Sequence, residues 1–165
     1  KLAVPPQINE TISSKYGTDF TYTYEAPLKN IPKPTIEVQL DTVINNVRSI
    51  RLCITPNRPI NRLEVFTNPI DILKADVNGI QLSDHFLQNR NSGRLITNYI
   101  SDKNFTDINL EFPADSPLEL TFYEASNDLL NNELFSIPER REDQIPMPFV
   151  LNDAIVTVQK LKFGQ

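Results

Sequence analysis

The sequence predicts an all-β protein: two antiparallel sheets packed face to face as a sandwich, jelly-roll or immunoglobulin-like, with a long Pro-rich loop and one short helix. Three observations lead there. Short segments alternate apolar and polar residues with period two, as strands with one buried face do. The 165 residues include 13 Pro but only 6 Ala, a poor balance for helices, where an interior Pro costs about 3 kcal/mol. The alternation is also clean, whereas parallel strands, covered on both faces, read as continuous apolar runs.

Residues 1–34 form a lead-in broken by Pro5, Pro6, Pro27, Pro32 and Pro34. One edge strand is expected inside it, where Phe20, Tyr22 and Tyr24 alternate with Thr21 and Thr23. Residues 35–165 form the sandwich. Ile36, Val38 and Leu40 predict its first strand, and Ile50, Leu52 and Ile54 a second, with Cys53 on the opposite face. Leu63 and Val65 mark a third, and Leu73, Ala75 and Val77 a fourth. Asn78-Gly79 then makes a tight hairpin turn toward Ile80 and Leu82, because Asn-Gly accepts the positive φ angles of a type I′ turn. Arg94 to Ile100 is the next strand. Ile108, Leu110 and Phe112 mark another, and Asp115-Ser116-Pro117 turns the chain into Leu118, Leu120 and Phe122. Between Ser126 and Val150 the pattern stops. Ser126 is placed to cap a short helix over Asn127 to Leu134. Beyond it the Pro-rich connection is expected to pack over one end of the sheets, anchored by Ile145, Met147 and Phe149. In the last strand, Ala154 to Phe163, Val156 and Val158 lie on one parity and Leu161 and Phe163 on the other. A β-bulge at Gln159 and Lys160 would reconcile them.

Composition excludes several function classes. Hydrophobic residues at 39% and charged residues at 22% suffice for one core. A net charge of −5 and a pI near 4.9 argue against nucleic acid as a partner, since phosphate affinity needs clustered Lys and Arg. One Cys rules out an internal disulfide, and one Cys with one His rules out a Cys/His zinc cluster. No cofactor and no metal are expected. No segment approaches the ~20 apolar residues of a membrane helix. The start lacks both an initiating Met and the apolar stretch of a secretory signal, so the chain is expected to be a piece excised from a longer one.

The candidate chemistry is sparse. His85, within Ser83-Asp84-His85-Phe86, has no nucleophile elbow to serve and reads as a surface or loop residue. Cys53 reads as a small buried or half-buried side chain. Asp71, Glu142 and Asp143 are scattered carboxylates, and Asp76-Val77-Asn78-Gly79 is a turn that lacks the closing Glu of a calcium loop. Phe20, Tyr22 and Tyr24 form the best aromatic stripe. It would be a platform for stacking on sugar rings or, given the Thr residues as a natural solvent face, the core side of a strand. Arg140 and Arg141 could grip an anion or carboxylate, although Glu139, Glu142 and Asp143 offer simple local ion pairs.

The C-terminal segment is more individual: Phe135-Ser136-Ile137-Pro138-Glu139-Arg140-Arg141, Ile145-Pro146-Met147-Pro148-Phe149, Asp153-Ala154-Ile155-Val156 and Leu161-Lys162-Phe163. With Tyr123-Glu124-Ala125-Ser126 and the Arg62 to Gly79 region, it resembles the tail of membrane-bound zinc exopeptidases, the family twenty-eight metallopeptidases of Bacteroidetes type, similar in plan to the endoplasmic-reticulum metallopeptidase. The resemblance spans about the last two thirds of the chain. It implies a periplasmic or otherwise extracytoplasmic β domain that follows a zinc peptidase domain and several membrane helices. The family's two-zinc centre needs several His, Asp and Glu ligands, so no catalytic residue carries over to a chain with one His. The expectation is a non-catalytic accessory domain of a membrane-anchored aminopeptidase-like protein, partnered by the catalytic or membrane part of its parent chain. The alternative is an independent carbohydrate-binding sandwich.

Overall fold

The computed structural model describes residues 29–90, 93–101, 104–146 and 151–164, together with the backbone of two short strands near the start. The chain divides into two units, Lys1–Asn30 and Ile31–Gln165. In the first, β1 (Gln7–Ile8) pairs antiparallel with β2 (Tyr22–Thr23), Gln7 opposite Thr23 and Ile8 opposite Tyr22. Tyr22 thus lies in a strand. Its side chain, and all of Phe20 and Tyr24, lie outside the described residues, as do Met147 and Phe149.

The second unit is an all-β sandwich with one short helix. In chain order it holds β3 (Thr35–Ile44), β4 (Val47–Thr55), β5 (Arg62–Thr67), β6 (Lys74–Val77), β7 (Ile80–Gln81), α1 (Asp84–Gln88), β8 (Arg94–Tyr99), β9 (Thr106–Pro113), β10 (Leu118–Ser126) and β11 (Ile155–Phe163). One sheet runs β3-β4-β9-β6-β7 and the other β11-β10-β5-β8, with every neighbouring pair antiparallel. The β3–β4 hairpin stays in one sheet, β10 and β11 pair in the other, and β9 inserts between β4 and β6. With β8 as an added edge strand beside β5, this is the order of an immunoglobulin-like sandwich. The strand pattern alone could not separate that from a jelly roll.

Alternation explains the core. Ile50, Leu52 and Ile54 on β4 and Ile108, Leu110 and Phe112 on β9 are at most 1% exposed. Facing them are Leu63 and Val65 on β5 and Leu118, Leu120 and Phe122 on β10, equally buried. Each such side chain contributes roughly 1.5–3 kcal/mol by leaving water. Both two-residue hairpins use left-handed residues. Asn78 and Gly79, at φ 51° and 78°, form the expected turn, and Asn45 and Asn46, at 50° and 62°, close β3 onto β4. A Cβ on Gly79 would meet nothing within 4 Å. Gly79→Ala is therefore expected to lose only the conformational term, about 1–2 kcal/mol by urea titration. A loss above about 2 kcal/mol would show that the turn is packed after all.

Four sequence expectations are corrected. β11 keeps an unbroken register against β10, from Phe163 opposite Leu118 to Ile155 opposite Ser126, so no bulge lies at Gln159 and Lys160. Val156 and Val158 simply point outward, at 43% and 42% exposure, while Ile155, Thr157 and Phe163 point inward and are buried. Register shifts fall instead at Val38/Leu40 in β3 and at Val65/Phe66 in β5. The first splits the predicted face of β3: Ile36 packs on the core, but Val38 and Leu40 are exposed on this edge strand. Asn127 to Leu134 form turns, not a helix. Ser126 Oγ bonds Asp128 Oδ1 at 2.5 Å, and Asn132 Nδ2 donates to Asp128 Oδ2 at 2.7 Å. Short polar side chains there compete with the helical ladder. The described helix is α1, capped by Ser83, whose Oγ accepts the Phe86 N–H at 3.3 Å, with Leu87 buried. Finally, Ile145 is 84% exposed and does not anchor the connection on the described part of the sheets.

Candidate functional site

Three features stand out, and two share the outer face of the β11-β10-β5-β8 sheet. The register lays this face out in rows. Tyr99, Arg62, Ala125 and Val156 cross it side by side, followed by Thr97, Glu64, Tyr123 and Val158. Phe66, Thr121 and Lys160 make the next row. Phe66 meets Tyr123 edge to face with ring centroids 5.4 Å apart, a favoured aromatic geometry. The result is a contiguous apolar patch of Phe66, Tyr123, Val156 and Val158. Beyond it Glu119 is bracketed by Lys160 at 2.8 Å and Lys162 at 3.0 Å.

At the other end of this face the described parts of the β10–β11 connection, residues 127–146 and 151–154, lie beside the sheet. Leu129 N–H donates to Asp153 O at 3.0 Å, tying the two ends of the connection together. A cleft of about 430 Å³ opens there, lined by Asn61, Arg62, Tyr99 and Asn127 from the strand ends and by Pro146, Leu151 and Asp153 from the connection. Arg140 pairs with Asp153 across this loop, so it fastens the cleft wall, whereas its neighbour Arg141 pairs locally with Asp143 at 2.7 Å on an exposed stretch. The two adjacent arginines therefore do not act as one clamp.

The third feature is buried. Glu124, 1% exposed, continues the inward parity of Leu118, Leu120 and Phe122. Its Oε2 lies 3.6 Å from Arg58 Nε and 3.4 Å from Thr157 Oγ1. Arg58 Nη2 donates to Glu124 O and Ile155 O at 3.2 Å each, and Nη1 donates to Ser126 Oγ. Burial pushes the Glu124 carboxyl above its ordinary pKa, against the downward pull of Arg58 and Thr157. Sequence reasoning missed both residues. The available signal was a carboxylate at an apolar parity position.

The other candidates prove ordinary. His85 sits on α1 with Nδ1 3.4 Å from Asn89 Nδ2. Cys53 is half-buried, opposite the core face as expected. Burial raises its thiol pKa, and the nearby carboxylates of Asp107 and Glu37 raise it further, the reverse of an activated nucleophile. Asp76 accepts from Asn109 Nδ2 at 2.7 Å. Among the described residues no group of three or more His, Cys, Asp and Glu is arranged to hold a metal ion, and no helix is long and apolar enough to cross a membrane. Compared with family models, curated proteins and solved structures, the chain matches none.

Proposed function

We propose that the chain is a non-catalytic accessory domain of a membrane-anchored zinc aminopeptidase-like protein, extracytoplasmic and docked on the catalytic or membrane part of its parent chain. The observation that carries it is the apolar patch on the outer sheet face, where Tyr123, Val156 and Val158 keep 37%, 43% and 42% of their surface exposed beside Phe66. Outward strand positions ordinarily hold polar residues, and a contiguous apolar patch rimmed by charge marks an interaction surface. Resemblance of the C-terminal segment to the peptidase tail supplies the identity of the partner.

The test uses the domain and the preceding part of the parent chain, produced separately and the latter held in detergent. Association measured by biolayer interferometry is expected for the natural sequence. The double variant Val156→Asp/Val158→Asp should weaken it at least about tenfold, or 1.4 kcal/mol, while changing domain stability little, since exposed substitutions usually fall within about 0.5 kcal/mol each. No association, or equal association by the variant, would overturn the docking assignment.

A further inference from the structure

We infer that the cleft beside Tyr99 is a binding site for a neutral carbohydrate, a short oligosaccharide. It lies at the opposite end of the sheet face from the Glu119 cluster and does not depend on the docking role of the apolar patch. The volume, about 430 Å³, falls within the range of small-ligand sites. Tyr99 stands at its edge with 76% of its surface exposed, a large apolar ring opposite Arg62 on the edge strand. An aromatic face of this kind covers the C–H face of a pyranose, and its hydroxyl stays in water.

The polar lining suits hydroxyl groups and not ions. Arg62 is already paired with Glu64 at 3.2 Å, and Arg140 with Asp153. A charged ligand would have to break one of these pairs and leave a partner uncompensated, whereas a neutral ligand leaves both intact. Asn61 Oδ1 accepts the Asn127 N–H at 2.7 Å, which fixes the amide plane before any ligand arrives. A planar amide presents a donor and an acceptor side by side, as a pair of vicinal hydroxyls requires.

Cellohexaose, mannohexaose and chitohexaose, with oligogalacturonate as the anionic counterpart, are the probes for calorimetric titration and amide NMR. At least one neutral hexasaccharide is expected to bind, shifting the side-chain amide resonances of Asn61 and Asn127. Tyr99→Ala should weaken that binding at least about tenfold with an unchanged thermal melt, and Tyr123→Ala on the apolar patch should leave it intact. Binding that survives Tyr99→Ala, a preference for oligogalacturonate, or no response to any neutral probe at millimolar concentration would each overturn the assignment. Because the amide shifts are read on the natural sequence, the site remains testable if Tyr99→Ala proves unstable.

Discussion

Arg58→Ala is expected to destabilise the sandwich by about 3–5 kcal/mol, the scale for breaking a buried ion pair by removing one partner. The guanidinium, 11% exposed, serves the Glu124 carboxylate, the Ser126 hydroxyl and the carbonyls of Glu124 and Ile155. Without it, Glu124 must either remain charged in the core or take up a proton, and the strand-end oxygens lose a donor. The pH dependence has a definite sign. The folded-state pKa of Glu124 is raised above the ordinary 4.5, chiefly by burial. Its contribution to stability is therefore fully present below that ordinary value and is lost as pH rises through the higher folded one. Glu124→Gln should remove this part of the profile. In Arg58→Ala the downward pull of the cation is gone, so the folded pKa climbs further and the loss with pH deepens. The double variant Arg58→Ala/Glu124→Gln should recover much of the single variant's loss. Urea titrations between pH 4 and 8 read all three. A loss under about 1 kcal/mol in Arg58→Ala, or a double variant no better than the single, would mean that the pair is not coupled.

What the sequence disclosed follows from which strands have one wet face. β4, β9 and the first half of β10 lie in the middle of their sheets, cover the core on one side and carry polar residues on the other, Glu119 and Thr121 in the case of β10. Their alternation is unambiguous, and Ile50 through Ile54, Ile108 through Phe112 and Leu118 through Phe122 are buried as read. The pattern degrades where that condition fails. β3 is an edge strand with a register shift, so Val38 and Leu40 gain exposure. β11 carries valines on an outer face that is itself apolar, which imitates a change of register where none exists. Site legibility fails for a different reason. The cleft joins Arg62 on β5, Tyr99 on β8 and Asp153 in the β10–β11 connection, and only the β5–β8 pairing makes the first two neighbours. Arg140 could be read from its flanking carboxylates, yet it pairs with Asp153, thirteen residues on. The aromatic stripe at Phe20, Tyr22 and Tyr24 drew attention by local spacing. Tyr99, a lone aromatic at a strand end, offered no such signal.

Gly93→Ala should cost about 2–5 kcal/mol, more than the same change at Gly79, although both glycines have positive φ, 72° and 78°. The left-handed conformation accounts for about 1–2 kcal/mol in an L-residue. The remainder is steric: a Cβ on Gly93 would fall well inside the contact distance of the Thr67 carbonyl oxygen, a backbone atom that cannot swing aside. Overpacking of this kind costs about 1–3 kcal/mol. The strand end at Thr67 is already committed elsewhere. Thr67 sits opposite Leu120 in the β5–β10 pairing, and its Oγ1 accepts from Arg90 Nη1 at 2.8 Å. Arg90 also donates to Ile70 O at 2.9 Å and Leu87 O at 3.1 Å, stitching α1 to the end of β5. Moving Thr67 to admit a methyl group therefore disturbs the helix anchor and a sheet rung beside Leu120, which is 0% exposed. Urea titration of the two alanine variants together isolates the steric part, because the conformational part is common to both. Hydrogen exchange should accelerate at Thr67 and Leu120 in Gly93→Ala and stay unchanged there in Gly79→Ala. Equal costs for the two substitutions would show that β5 and the β8 entry give way to the methyl group, and that Arg90 holds this corner more loosely than its three hydrogen bonds imply.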